Sequence, residues 1–366
     1  MSLRPRLFAL VAAAAGCVLV GQAGGSELDL AYRVDQPSFH LPAAAAPLPR
    51  RLEEYVPPPQ PPAPAPAAPT EAASGAPFLY VWDRVRAGFT LPALGGARVA
   101  HWQRWYLDHP QLLKAMFERS RIYVYYVVEE LDKRKLPTEL AFLPMVESGY
   151  SPAALSSAQA SGLWQFIPST GKAYKLGQGF VYDNRRDIIA STAAALDYLT
   201  TLYARFGDWQ LALAAYNSGE AAVARAIARN KSRGLPTDYQ ALPLPEETRN
   251  YLPKLQALKN IVANPGAFNL QIEPVPNKPY FATVASERYL DVDIAARLAG
   301  VPLNEFLALN PAFNLNLMFN GPGTQIVLPV DKVDAFINNL DNYTEPPKRA
   351  SRAGVVGGAP SPRHLP

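Results

Sequence analysis

The pattern of hydrophobic and polar positions predicts that the first folded part of the chain is α-helical. "PQLLKAMFERSRIYVYYVVEELDKRK" predicts one long helix that starts after Pro110 and ends before Pro137. "RDIIASTAAALDYLTTLYARFG" predicts another helix, closed by Gly207. Its apolar positions recur at spacings of three and four, which indicates one buried stripe made of Ile189, Thr192, Leu196, Leu199, Tyr203 and Phe206.

Three further segments extend this helical pattern. "DWQLALAAYN" predicts a helix with an Asp N-cap, and "PEETRNYLPKLQALKNIVANP" predicts one that is interrupted or kinked at Pro253. "LAFLPMVESGY" predicts a buried helix that Pro144 kinks. The region from residue 78 to 268 is therefore expected to be a mainly α domain.

After residue 279 the pattern changes to that of a small α+β module. "PYFATV" and "TQIVLPV" predict short strands, which enclose "DVDIAARLAG" and "PLNEFLALNP" as short helices. The module is expected to span residues 279–332 and to follow the linker "EPVPNKP".

The two ends of the chain have low-complexity sequence. Residues 24–77 are rich in Pro and Ala with few large apolar side chains, which predicts an extended linker. Residues 344–366 predict a disordered tail.

The first 23 residues predict an export signal, with Arg4 and Arg6 before an apolar run. Two interpretations of its processing stay open. "AAGC" resembles a lipobox, which would place a lipid on Cys17, whereas a plain signal peptide would be cut after Ala23. Either interpretation sends the protein out of the cytoplasm.

Composition excludes several classes of function. The 366 residues carry a net charge of +4, and Lys and Arg alternate with Asp and Glu rather than forming a basic stripe, so no nucleic-acid partner is expected. The one cysteine lies in the apolar N-terminal run, and the four histidines are scattered. Neither a disulfide, a zinc site nor any cofactor is therefore expected.

Glu147 is the strongest candidate for catalysis. Apolar residues surround it in "LAFLPMVESGY", and burial raises the pKa of a carboxyl group toward neutrality, as a general acid requires. A buried Glu in an ion pair or a cap is the structural alternative. From Ser148 to Tyr182 the chain has no other Asp or Glu, although glycosidases usually use two carboxylates.

Two nearby motifs carry residues suited to binding sugars. In "SGLWQF", Trp164 could stack on a sugar ring and Gln165 could bind its polar groups, with core packing as the alternative for Trp164. In "AAYNSGE", Tyr216 and Asn217 could face a cleft, with an ordinary C-cap as the alternative for Asn217.

Taken together, these segments resemble the goose-lysozyme-like (SLT) family of bacterial peptidoglycan lytic transglycosylases, in particular the membrane-bound murein type D. The matching pieces are "ES" at 147–148, "SPAALSSAQASGLWQF", "YDNRRDIIASTAAALDYL", "LALAAYNSGE" and "LPLPEETRNYLPKL". The resemblance implies a lysozyme-like α domain at 78–268 with an N-terminal helical extension. The family's usual Gly-Ala before the GL(M/W)Q motif is Gln159-Ala160 here.

The resemblance also implies the roles of individual residues. Glu147 is expected to be the catalytic acid/base, and the substrate's own C6 hydroxyl replaces a second carboxylate, which gives 1,6-anhydromuramoyl ends. Glu247 is expected to orient groups or to serve structure, unless the enzyme is a hydrolase in which Glu247 positions water. The residues expected to bind substrate are Ser156, Trp164, Gln165, Tyr216, Asn217, Tyr251 and Glu247.

The C-terminal module resembles a degenerate LysM domain. "IAARLAGVPLNEFLALNPAFN" and "GPGTQIVLP" match well, whereas "SERYLDVD" replaces the usual opening segment. Glycan binding is the function that this resemblance implies, and a packing domain that braces the catalytic one is the alternative. The expected partner is therefore the peptidoglycan glycan strand, in the periplasm or at the outer membrane of a Gram-negative bacterium.

A third hypothesis for the whole chain is a non-catalytic wall-binding protein, which would use this module and the 24–77 linker.

Overall fold

The computed structural model describes residues 78–285, 290–314, 317–318 and 325–344. The predicted signal peptide with Cys17, the 24–77 linker and all but the first residue of the predicted tail lie outside these residues. Among the helices that are described, none combines the length and apolar character that a membrane crossing needs.

The first part of the described chain is built from helices, joined by short turns and by longer loops at residues 149–167, 174–187 and 233–245. Short 3-10 helices lie at Thr138–Phe142 and Pro265–Phe268. The α-helices are α1 Val81–Ala87, α2 Ala97–Asp108, α3 Pro110–Lys133, α4 Leu143–Ser148, α5 Pro168–Ala173, α6 Ile188–Phe206, α7 Trp209–Ser218, α8 Glu220–Ser232 and α9 Glu246–Ala263. The predicted mainly α domain is confirmed.

Helix α6 begins and ends where its sequence predicts. The Asp187 side chain accepts a hydrogen bond from the amide of Ala190, and Gly207 ends the helix in the left-handed conformation that glycine adopts freely. The predicted buried stripe is wrong at Tyr203, which is 40% exposed and stacks on Trp209 with ring centres 4.4 Å apart. Leu202 is buried instead, because the last turns of α6 face the core through the neighbouring row of side chains.

Two prolines are predicted to kink or interrupt their helices. Pro144 lies in the first turn of α4, directly after the 3-10 helix Thr138–Phe142, where a missing backbone N–H costs little. Pro253 lies inside α9, whose helical assignment continues without interruption from Glu246 to Ala263.

Helix α4 belongs to the main core, in which Leu143, Met145 and Val146 are buried. Helix α9 and the preceding 3-10 helix lie against it. This packing fixes the last turn of α4, which carries Glu147.

A buried ion pair joins the segment after α1 to α9. Glu139 is fully buried, and its carboxylate accepts hydrogen bonds from the amides of Thr90 at 3.1 Å and Leu91 at 2.8 Å. The Lys259 ammonium donates to the same carboxylate at 2.8 Å. Each oxygen of Glu139 is thus bonded, which compensates for the loss of hydration.

The C-terminal module has its own smaller core. Strands β1 Phe281–Ala285 and β4 Gln325–Pro329 pair antiparallel, and β2 Leu290–Asp291 pairs with β3 Leu317–Met318. The helices are α10 Val292–Ala299, α11 Leu303–Leu309 and α12 Val333–Asp341, and the last of these lies beyond the predicted limit at residue 332. Phe336 of α12 is buried in this second core, so α12 packs as part of the module.

Replacing Glu139 by Ala is expected to lower the free energy of unfolding by about 3–5 kcal/mol, since it leaves the largely buried Lys259 charge and the Leu91 amide without their carboxylate. Urea-induced unfolding followed by circular dichroism measures the change. Glu118→Ala is the control, because Glu118 forms an exposed pair with Lys114 whose loss costs about 1 kcal/mol or less. Equal losses in the two variants would show that the Glu139 pair does not stabilise the fold.

Candidate active site

Glu147 lies in the last turn of α4, one residue before the end of the helix. Gly149 follows in the left-handed conformation, which turns the chain away and leaves the Glu147 side chain partly buried at the helix end. The phenol of Tyr251 in α9 donates a hydrogen bond to Oε1 of Glu147 at 2.5 Å. This bond ties together two helices that lie 104 residues apart in the chain.

The surroundings of Glu147 raise the pKa of its carboxyl group to about 7. Burial is the main cause, and the negative charge of Glu247 adds to it. The Tyr251 hydroxyl and the Lys254 ammonium act in the opposite direction because they favour the carboxylate form. At neutral pH both protonation states are therefore populated, as a group that first donates and then accepts a proton requires.

A loop at residues 154–166, the active-site loop, packs beside this helix end. The Ser148 hydroxyl donates to the carbonyl of Leu163 at 2.9 Å, so the residue after Glu147 is joined directly to the loop. Gly162 adopts a φ of 87°, and a Cβ atom there would lie 2.1 Å from the carbonyl oxygen of Arg185. Only glycine fits at this position.

Ser156 and Gln165 shape the active-site loop through their own hydrogen bonds. The Ser156 hydroxyl accepts from the amide of Ala160 at 3.0 Å. Gln165 has a φ of 50°, and its side-chain amide donates to the carbonyl of Gly162 at 2.8 Å. Gln159 also lies in the left-handed region, with a φ of 61°, so the loop keeps a conformation that glycine would adopt at less cost.

The prediction that Trp164 stacks on a sugar ring is wrong. Its side chain is 0% exposed, and its indole N–H donates to the hydroxyl of Thr192 in α6 at 3.0 Å. No face of the ring is open to a ligand, so the alternative of core packing describes Trp164. Its indole is buried because Thr192 supplies the partner that a buried N–H needs.

Tyr216 and Asn217 at the end of α7 contact two different parts of the site. The Tyr216 hydroxyl donates to the backbone carbonyl of Trp164 at 2.8 Å, which fixes the active-site loop from the side of α7. The Asn217 side chain accepts from the Thr248 hydroxyl at 2.8 Å and donates to Glu247 at 3.4 Å. Asn217 is therefore oriented by α9 and is more than an ordinary helix cap.

Helix α9 presents three polar side chains to Glu147. Glu247, Tyr251 and Lys254 are spaced by four and three residues, which places them on one face of the helix. Each of them enters the electrostatic surroundings of Glu147. Within the described part of the chain, His, Cys, Asp and Glu side chains form no group of three that could hold a metal ion.

Lys254 is the residue of this face that the sequence analysis missed. It is buried with its ammonium 4.5 Å from the ring centre of Trp102 in α2, and burial lowers its pKa. Its spacing of three residues from Tyr251 in the predicted helix indicates that the two side chains share one face. Nothing in the sequence indicates the contact with Trp102, since α2 is distant along the chain.

Comparison with protein families identifies both domains. Residues 126–236 match the transglycosylase SLT domain, and residues 280–345 match the LysM-like domain described for lytic transglycosylase MltD. The chain therefore carries an SLT-type transglycosylase domain followed by a LysM-like domain. The resemblance that the motifs indicated is confirmed.

Two curated relatives are similar to this chain over most of its length. The chain is 38% identical over 270 residues to membrane-bound lytic murein transglycosylase D of Escherichia coli K12, and equally to that of Escherichia coli O6:H1. These alignments cover 74% of this chain and 59% of each relative, so the chain spans about three fifths of their length.

Two other proteins share parts of the chain. A protein of Alteromonas sp. (strain M-1) named for tributyltin chloride resistance is 46% identical over 123 residues, which cover 33% of this chain and 59% of that protein. A solved structure of lytic transglycosylase Slt from Pseudomonas aeruginosa, an inactive mutant, is 22% identical with a TM-score of 0.31, and the match covers 41% of this chain and 25% of that one.

Gly162→Ala is expected to cost several kcal/mol of unfolding free energy, because the added methyl group meets the Arg185 carbonyl. Gly207→Ala is the matched control. It has a φ of 64° but open space around the added atom, so it should lose only about 1–2 kcal/mol. Thermal unfolding measures both effects. Equal behaviour of the two variants would show that the close contact at Gly162 is unimportant.

Proposed function

We propose that the protein is a lytic transglycosylase that cleaves the β-1,4 bond between N-acetylmuramic acid and N-acetylglucosamine in peptidoglycan. The observation that carries this proposal is Glu147, a partly buried carboxyl group with a pKa of about 7 and a hydrogen bond from Tyr251. The matched SLT domain and the names of the relatives agree with it.

In the first step Glu147 acts as a general acid. It donates its proton to the glycosidic oxygen as the bond to C1 of N-acetylmuramic acid breaks. Because Oε1 accepts the Tyr251 hydrogen bond, Oε2 is the oxygen that carries the transferred proton. The neighbouring N-acetyl group of the substrate stabilises the positive charge at C1, as in substrate-assisted glycosidases.

In the second step the ionised Glu147 acts as a general base. It accepts the proton of the C6 hydroxyl of the same sugar, and that oxygen attacks C1. The products are a 1,6-anhydromuramoyl end and a free N-acetylglucosamine end, with no water consumed. One carboxylate therefore serves both steps, and Tyr251 stabilises its charged form between them.

Glu247 has a supporting role in this proposal. It accepts a hydrogen bond from Asn217 and raises the pKa of Glu147 by its charge. It would be the residue that positions water if the enzyme were a hydrolase. The neutral partner Tyr251 and the near-neutral pKa of Glu147 also favour an enzyme over a non-catalytic binding protein.

We place the activity in the cell envelope, where peptidoglycan lies. Ser156, Gln165 and Asn217 are proposed to line the sugar subsites, with Tyr216 fixing the active-site loop behind them. Cys17 stays a proposed site of lipid attachment, and cleavage after Ala23 stays the alternative.

Muropeptides released from purified sacculi and analysed by mass spectrometry are expected to carry anhydro ends, which are lighter by one water than reducing ends. Glu147→Gln should lower the rate of release at least about 100-fold while leaving sedimentation with sacculi unchanged. Reducing ends would overturn the transglycosylase proposal and favour the hydrolase. Release that survives Glu147→Gln would overturn the assignment of the acid.

The pH dependence of the reaction should follow the ionisation of Glu147. Since the first step needs the protonated form, kcat/KM is expected to fall as pH rises through about 7. Tyr251→Phe removes a donor that favours the carboxylate, so it should raise the pKa and move this fall to higher pH, with a lower maximal rate. Tyr203→Phe at the surface is the control. If kcat/KM of Tyr251→Phe fell at the same pH as that of the unchanged protein, the assigned hydrogen bond would be contradicted.

A further inference from the structure

We propose that the LysM-like module positions the active-site loop, and that Phe313 and Asn314 are positioning residues for catalysis. This inference rests on the proposed function. It concerns three segments in contact. They are the module turn at residues 310–314, the bracing loop at residues 177–187 and the active-site loop at residues 154–166.

The module turn pairs with the bracing loop through backbone hydrogen bonds. The amide of Asp183 donates to the carbonyl of Ala312 at 2.9 Å, and the amide of Asn314 donates to the carbonyl of Val181 at 2.7 Å. Between them, Tyr182 and Phe313 form a bridge whose rings meet edge to face with centres 4.9 Å apart. The two segments thus behave as a short antiparallel ladder.

The Asn314 side chain reinforces this pairing. Its amide nitrogen donates to the carbonyl of Gly179 at 3.0 Å, and its oxygen accepts a hydrogen bond from the Arg186 guanidinium. Backbone and side chain of one residue therefore contact the bracing loop at three places.

On the module side, the turn is anchored to strand β4. The buried Asn310 side chain accepts from the amide of Val327 in β4 at 2.9 Å and donates to the carbonyl of the same residue at 2.8 Å. The Tyr123 hydroxyl of α3 donates to the carbonyl of Ala308 at 2.9 Å, just before the turn. The turn is therefore fixed both by the module and by α3.

On the catalytic side, the bracing loop holds the active-site loop through one buried guanidinium. Asp183 bonds the Arg185 side chain in a bidentate pair at 2.7 and 3.0 Å. Arg185 then donates to the carbonyl of Gln159 at 2.6 Å and to that of Phe166 at 3.2 Å. Asp183 is also the residue whose amide the module turn binds, so the connection is continuous.

The active-site loop depends on such support because its conformation is strained. Gln159 and Gln165 both lie in the left-handed region, which is unfavourable for residues other than glycine. Such conformations persist only where neighbouring groups fix them. If the module turn loosens its hold on Asp183, the loop is free to relax, and Gln165 moves with it.

Asn314→Ala in the full-length chain tests this proposal, since it removes two side-chain contacts and keeps the backbone. The substrate is a soluble peptidoglycan tetrasaccharide, too short to bridge the active site and a separate wall-binding surface. We expect kcat to fall about 10- to 100-fold with little change in KM. In the Glu147→Gln background, sedimentation with sacculi should stay unchanged.

Phe313 and Ile337 supply the comparison variants. Phe313→Ala should lower kcat at least as much as Asn314→Ala does. Phe313→Tyr keeps the aromatic ring and should therefore keep the kcat of the unchanged protein. Ile337→Ala, at an exposed position of the same module, should leave kcat unchanged. If kcat is unchanged in Asn314→Ala and Phe313→Ala while sacculus binding is lost, the module is a glycan-binding domain and the proposal is overturned.

Hydrogen exchange gives a readout that does not depend on activity. Amides of residues 154–166 should exchange faster in Asn314→Ala than in the unchanged protein, with the same melting temperature within a few degrees. If the protein releases no product from peptidoglycan but this exchange increases, the proposed function fails and the bracing contact stands. Unchanged exchange in the active-site loop would overturn the bracing contact whatever the activity.

Discussion

The structure depends on placing a carboxyl group at the end of a short, buried helix and giving it a neutral partner. Glu147 is carried by α4, whose apolar side chains are buried in the core, and its hydrogen-bond donor is the phenol of Tyr251 rather than a cation. A phenol satisfies a hydrogen-bonding need without supplying the charge that would hold the carboxyl group fully ionised. Burial therefore dominates, and the pKa stays near neutrality.

The same domain contains a second buried glutamate, whose carboxylate is bonded to a cation. Glu139 lies eight positions before Glu147 on the preceding 3-10 helix and is bonded by Lys259 and two amides. These contacts join the segment after α1 to α9. The two glutamates, so close in sequence, therefore differ in the group of α9 that is hydrogen-bonded to them: an ammonium for Glu139 and a phenol for Glu147.

Local patterns predicted most of the fold, whereas long-range contacts decided the details of the site. The limits of α6 follow from Asp187 and Gly207, which act within one turn of the chain. The burial of Trp164 depends on Thr192, and the environment of Lys254 depends on Trp102, so neither follows from neighbouring sequence. Glu147 could be predicted because its apolar neighbours are local, and Tyr251 was found only through the family resemblance.

The backbone conformation of the active-site loop also depends on long-range contacts, because two of its residues are left-handed. Gln159 and Gln165 carry conformational strain that must be offset by contacts from outside the loop. Those contacts come from Ser148, from Tyr216 and from the buried Arg185. Because Arg185 is held by Asp183, and Asp183 by the module turn, the support of the loop extends beyond the helical domain. A domain that resembles a glycan-binding module thereby becomes part of the framework that fixes the loop beside Glu147.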